Sequence, residues 1–240
     1  MVNEAEQGAG RRAGDKGRYG RLSRERVLAS ALDVVDRDGL SGLSMRKLGA
    51  ELSVEAMALY RYAPSKEALL DGLVEEFSRE VEGILERSPR AEPEITDPPT
   101  PDWLAQLHHI ALSTYDVALL HPHVVPLLAT RLLSTPLAQR PLPVLRSDER
   151  VLALLHDAGF DQGEVVRLHR AFTAWLLGFL LVELRAMDDQ ADEPDPAFRL
   201  GLHRLPAREL PHLRATAVGM ADRGGPAELA AGLEALLGAR

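Results

Sequence analysis

SMRKLGAELSVEAMALYRYAPSK, residues 44–66, is the stretch that decides the fold of this 240-residue chain. Met45, Leu48 and Leu52 recur at helical spacing and give its first helix an apolar face. Gly49 places no side chain where a second helix has to approach. Ser53 and Val54 fill a tight turn. A second helix, about residues 56–62, turns Leu59 inward and leaves Met57, Ala58, Tyr60, Arg61 and Tyr62 outward. That outward face is rich in aromatics and poor in acids, a composition suited to phosphates and base edges. Two short helices, a tight turn and the basic start of a third helix form the layout that places one helix in the DNA major groove. The same layout also occurs in three-helix cores that never meet DNA, so the flanks have to decide.

Upstream, residues 22–44 (LSRERVLASALDVVDRDGLSGLS) read as an amphipathic helix with Val27, Ala31, Val34 and Val35 on one stripe, Ser23 as N-cap and Gly39 as C-terminal stop. Downstream, Pro64-Ser65-Lys66 opens a helix whose free N–H groups and lysine suit a phosphate oxygen. On these residues the stretch 22–77 resembles the N-terminal domain of the TetR family of transcriptional regulators. The matching signature runs through Val27–Leu32, Gly39-Leu40, Leu43–Leu48, Leu52-Ser53-Val54 and Leu59–Tyr62 to Ser65–Leu70. It covers under a quarter of the chain, the remainder agreeing in length and helical character. Ser53 departs from the glycine more usual in that turn, a change its hydroxyl can offset by local bonding.

The charge is divided in a way that fits. Although the net charge is −8, residues 11–66 hold 12 Lys+Arg against 7 Asp+Glu, and the remainder 16 against 29. A basic module on an acidic body meets a polyanion with one face only. Residues 1–21 form a basic tail rich in Gly and Arg, in which Arg11, Arg12, Lys16, Arg18 and Arg21 serve either as a minor-groove arm or as a solvated tail. The chain has no cysteine, which excludes disulfides and thiol chemistry. The N-terminal stretch lacks the apolar core of a signal peptide. The longest apolar run, 171–182, is too short to span a bilayer. The expectation is a cytoplasmic protein with no membrane partner.

An all-α architecture follows: a three-helix helix–turn–helix head at 22–66, joined by a long helix to a larger helical ligand-binding and dimerisation domain at 67–240. Residues 66–87 form the linking helix, with Leu69, Leu70, Leu73, Phe77, Val81 and Ile84 inward. A proline-rich acidic loop (88–102) precedes helices at 103–120, up to about 133, 144–158 and 161–187, the last capped by Asp161. After a second acidic loop, PARELPHLRA and PAELAAGLEALLG read as closing helices. The helix 161–187 is apolar nearly all round between 171 and 182. With Leu229, Leu233, Leu236 and Leu237 it predicts a four-helix interface between two copies, the arrangement the resemblance implies. Two heads one helical turn or a multiple apart, about 34–36 Å per turn, read a palindrome in double-stranded DNA.

The resemblance places Ala56, Met57, Ala58, Tyr60, Arg61 and Tyr62 on the recognition helix. Arg61 suits a guanine O6/N7 pair or a phosphate, and Met57 and Ala58 suit a thymine methyl. Tyr60, Tyr62, Ser44, Arg46 and Lys66 suit phosphates. In the body, Trp103, Leu107, His108, Tyr115, His121, His123, Leu127, Arg131, His169, Phe172, Trp175 and Phe179 mix aromatic and polar groups as an effector cavity does, though each is also ordinary core. No His-Glu-x-x-His or comparable spacing is present, so neither a metal nor a cofactor is expected. Tetracycline-binding members carry paired histidines at the end of the linking helix. SREVEGILERS (78–88) has none, so metal–tetracycline is not the expected effector. An enzyme would need a nucleophile or acid–base pair, and the chain offers no cysteine and no G-x-S-x-G. The function read here is a sequence-specific DNA-binding regulator, a repressor released by a small molecule. The alternative is a dimeric ligand-binding or interaction module with a vestigial head.

Overall fold

The computed structural model describes residues 22–88, 101–185, 204–206, 208–221 and 224–237, all of them helix, turn or loop. The basic tail, most of the first acidic loop and the second acidic loop lie outside the described residues.

Side-chain caps fix where the head helices begin. α1 (Arg24–Gly42) starts at Ser23, whose Oγ accepts from the Arg26 N–H at 3.3 Å. α2 (Met45–Glu51) starts at Ser44, which accepts from Lys47 N–H at 3.2 Å. α4 (Lys66–Arg87) starts at Ser65, which accepts from Ala68 N–H at 3.0 Å. Each hydroxyl satisfies a donor that a helix start leaves without a partner. Helical backbone in α1 stops at Gly39, whose φ of +68° is open to glycine, and one further turn leads to Leu43.

Between α2 and α3 (Ala56–Leu59) the chain turns with Ser53 at φ +55°, left-handed backbone that costs a side chain about 1–2 kcal/mol. The approach of α3 explains Gly49. A Cβ there would lie 2.8 Å from the Val54 carbonyl oxygen and 3.2 Å from Ala56 N. Val27, Leu28, Ala31, Leu48, Leu59, Leu69 and Leu73 fill the head core. The recognition segment is helical for one turn only, 56–59, and continues to Tyr62 through turns closed by N–H bonds to the Leu59 carbonyl.

The body comprises α5 (Asp102–Leu120), a 3₁₀ turn (Pro122–Val124), α6 (Val125–Ser134), a second 3₁₀ turn (Leu137–Gln139), α7 (Leu142–Asp157) and α8 (Gln162–Arg185), followed by α9 (Pro211–Ala221) and α10 (Gly225–Leu237). α8 opens with a capping box: Asp161 Oδ1 accepts from Glu164 N–H at 2.8 Å while Glu164 Oε2 accepts from Asp161 N–H at 3.3 Å. By length and composition α8 could cross a bilayer. Here one side of it packs against α5, α6, α7 and α10 and the other side is uncovered.

Two expectations are corrected. Leu229, Leu233 and Leu237 are buried within their own chain, where α10 packs on α5 and α8, and only Leu236 of that stripe is exposed. α9 closes nothing: Leu213, Val218 and Met220 stay exposed along it.

Two substitutions test the turn. Gly49→Ala should lower the unfolding free energy by roughly 1–3 kcal/mol, because its methyl meets backbone that cannot yield. Ser53→Gly should raise it by about 0.5–1 kcal/mol by relieving left-handed strain. Denaturant titration followed by circular dichroism reads both.

Candidate nucleic-acid interface and effector cavity

Ion pairing sorts the cations of the head. Arg37 pairs with Asp38 and Glu51, and Lys47 Nζ lies 2.8 Å from Asp38 Oδ2. Lys47 is the first reason that the Asp38 carboxyl is held below the usual value. Arg24 reaches across to Glu75 of α4 at 2.7 Å. Arg46, Arg61 and Lys66 are exposed and have no ion pair among the described residues. They sit on α2, just after α3 and at the start of α4. With Met57 (75% exposed), Tyr60 (44%), Ala58 and the Ser44 cap, they frame the exposed side of α3. Ala56 is half-buried.

Tyr62 departs from the outward placement. Its ring is half-buried against the head core, and its hydroxyl donates to the Leu22 carbonyl at 2.9 Å. It ties the end of the recognition segment to the entrance of α1. Position 62 lies three residues after the inward Leu59, so helical spacing itself puts the two side chains on one face.

Head and body meet where the 3₁₀ turn packs on α1. His121, at the end of α5, stands between two carboxylates there. Nδ1 is 2.7 Å from Asp36 Oδ2 on α1, and Nε2 is 3.0 Å from Glu80 Oε2 on α4. A neutral imidazole has one N–H to give, whereas an imidazolium holds both carboxylates. Burial pushes the Asp36 carboxyl above its ordinary value, opposed by the hydrogen bond and charge of His121 and by the charge of His123. A second tie joins α6 to the start of α4, where Arg131 Nε donates to Asp71 Oδ1 at 2.7 Å and Nη2 to the Glu67 carbonyl at 3.0 Å.

The body contains a cavity of about 120 Å³ between α4, α5, α6, α7 and α8. Of the residues expected to line it, His169 and Phe172 do. The others serve elsewhere. Leu107 and Leu127 are core, and Trp103 packs edge-on against Phe160 with centroids 5.2 Å apart. Tyr115, Phe179 and Trp175 form an aromatic row, Tyr115 donating to Glu183 Oε1 at 3.2 Å. Glu183 in turn accepts from the N–H groups of Gly224 and Gly225 and anchors the start of α10. His108 is half-buried on α5, while His121, His123 and Arg131 belong to the head–body contact.

Sequence reasoning missed Ser78 and Glu82 on α4 and Ser147, Asp148 and Arg150 on α7, all of which line the cavity. Glu82 is buried, and its carboxylate accepts from Arg150 Nη2 at 2.6 Å, Arg150 Nε at 3.3 Å and Ser147 Oγ at 3.5 Å. The signal was available. Ser78, Glu82 and Leu85 fall at i, i+4 and i+7, so two polar residues interrupt an inward stripe.

A three-helix head with an uncovered cationic face packs on a helix that runs on into a cavity-bearing helical body, the architecture of a helix–turn–helix protein with a helical C-terminal domain. Residues 27–73 match the bacterial regulatory proteins of the tetR family, and residues 95–238 match the tetracyclin repressor-like C-terminal domain. The chain belongs to the TetR family.

It is 32% identical over 145 residues to the HTH-type transcriptional repressor DrrR1 of Streptomyces coeruleorubidus, a match that covers 60% of this chain and only about half (47%) of that one. It is 28% identical over 207 residues to the tetracycline repressor protein class A from transposon 1721 of Escherichia coli, covering 76% and 88%. Among solved structures, a possible TetR family transcriptional regulator from Streptomyces coelicolor A3(2) superposes with a TM-score of 0.70 at 27% identity, over 90% of this chain and 97% of that one.

Replacing His121 by alanine tests the head–body contact. A carboxyl whose native pKa is raised binds its proton more tightly folded than unfolded, so stability falls as pH rises through that interval. Without His121 opposing burial, the Asp36 interval widens. The variant should melt a few degrees lower than the parent, and its melting temperature should fall more steeply as pH rises from the ordinary carboxylate range. Scanning calorimetry across that range reads the difference.

Proposed function

We propose that this protein is a sequence-specific DNA-binding transcriptional regulator, a homodimeric repressor released when a small molecule enters the cavity of its body. The observation that carries the reading is the exposed trio Arg46, Arg61 and Lys66, without acidic partners among the described residues while the neighbouring Arg37 and Lys47 are paired. Residues 22–66 act as the DNA-reading unit and 67–240 as the effector and dimerisation unit. Ala56, Met57, Ala58, Tyr60 and Arg61 meet the major groove, and Ser44, Arg46 and Lys66 hold phosphates. Tyr62 orients this surface through Leu22. The protein acts in the cytoplasm without catalysing a reaction.

The dimer forms through the outward side of α8, where Val166 (40% exposed), Ala174, Gly178 and Val182 (76%) are uncovered, together with Leu236 of α10. In the ligand-free state the two heads sit at operator spacing and block transcription. Ligand in the cavity shifts α4, which is both a wall of the cavity and the helix on which α1 of the head packs. A coupling of about 1–3 kcal/mol weakens DNA binding roughly 5- to 150-fold.

Selection from random duplex DNA at near-physiological salt should recover a palindrome. Arg61→Ala should weaken binding to it by about 1–3 kcal/mol, with a change in the preferred base if Arg61 reads guanine. Lys66→Ala should weaken all sequences alike and reduce the salt slope by about one. Recovery of no specific sequence would instead favour a ligand-binding or interaction module with a vestigial head. Val182→Glu, which places a charge on the uncovered side of α8, should give a monomer by sedimentation and lose the palindrome.

A further inference from the structure

We infer that the effector of this cavity is a small organic cation: an apolar body of about one ring carrying a protonated amine or comparable positive group. The inference rests on the proposed reading of the cavity as the effector site, and names the chemistry that site accepts.

Two carboxylates, Glu82 and Asp148, line the cavity, against one permanent cation, Arg150. The two acids are held differently. Asp148 has Oδ1 3.2 Å from His169 Nε2 and Oδ2 3.4 Å from Arg140 Nη1, long contacts at a side chain that is 29% exposed. Glu82 is far more enclosed, with 10% of its side chain exposed, and it depends on Arg150, whose side chain is 37% exposed.

That difference decides the sign of the ligand. An anion entering the cavity has Arg150 as its natural partner, and engaging it would strip a buried carboxylate of its counter-charge. Breaking a buried pair from the cationic side is strongly unfavourable because the remaining charge has no solvent to turn to. A cation enters on easier terms. Its charged group takes the place of Arg150 at Glu82, and the guanidinium, already partly in water, rotates outward to full hydration. The apolar body of the ligand then lies against Phe77, Phe172 and Leu176, and the cavity volume of about 120 Å³ limits that body to one ring until the helices part. The exchange has a mechanical result. Glu82 belongs to α4 and Arg150 to α7, so the ligand releases the linking helix from α7 at the moment it binds.

The test uses three molecules of nearly equal shape and different charge: 2-phenylethylammonium, 2-phenylethanol and phenylacetate, each titrated calorimetrically into the full-length protein at pH 7. The ammonium should bind at least about tenfold more tightly than the alcohol, and the carboxylate weakest of the three. Glu82→Gln should bring the ratio of ammonium to alcohol affinity down to about one, with circular dichroism read in parallel to show that the variant is folded. Arg150→Met should tighten the ammonium by removing its competitor. Equal or tighter binding of phenylacetate, or an ammonium affinity indifferent to Glu82→Gln, overturns the inference and leaves the effector site standing. Failure of all three to bind overturns both.

Discussion

Helix α4 has to complete two cores with one continuous run of backbone. Its first half buries Leu69 and Leu73 with the head and receives Arg24 at Glu75, while its second half carries Phe77, Ser78, Val81, Glu82 and Leu85 to the cavity wall. A helix resists bending because each turn is locked to the next by backbone hydrogen bonds, so a displacement at one end is delivered to the other. The remaining contacts are arranged around this constraint. His121 ties α4 to α1, Arg131 ties α6 to the α4 N-terminus, and Arg150 ties α7 to the cavity half. Each holds α4 through a charged hydrogen bond, an interaction that a ligand, a proton or a competing ion can exchange without disturbing apolar packing.

Electrostatics divides the molecule in the same way. In the head, acids neutralise the cations that face away from the recognition surface and leave those around it alone. In the body, the buried acid Glu82 draws its counter-charge from Arg150, which is partly exposed. A net charge of −8 conceals both facts, because a polyanion or a small ligand meets one face or one cavity and not the sum.

The fold was legible in the sequence wherever local rules act without competition. Ser23 and Asp161 announce helix starts, and the Lys66–Arg87 helix follows from its apolar period alone. Tyr62 was misplaced although its position three residues after the inward Leu59 put it on the core-facing side. Leu229, Leu233 and Leu237 formed a visible stripe, but periodicity cannot tell whether a partner helix comes from the same chain or another. The cavity was the least legible part. Large aromatics drew attention, yet Tyr115, Trp175 and Phe179 fill core between α5 and α8. The polar residues that give the cavity its character, Glu82 and Arg150, lie 68 positions apart and meet only after folding.

Gly49 and its neighbours show how tightly the reading head is built, but the continuity of α4 bears on how such proteins diversify. No flexible joint separates recognition from sensing among the described residues: the helix runs unbroken from Lys66 to Arg87. A gene fusion that grafts a foreign head onto this body must therefore splice within a helix, in register, preserving both the 100° phase and the rise per residue. Shuffling of intact modules across a loop is closed to this architecture at that junction. New pairings of operator and effector have to arise instead by substitution on either side of a shared rod.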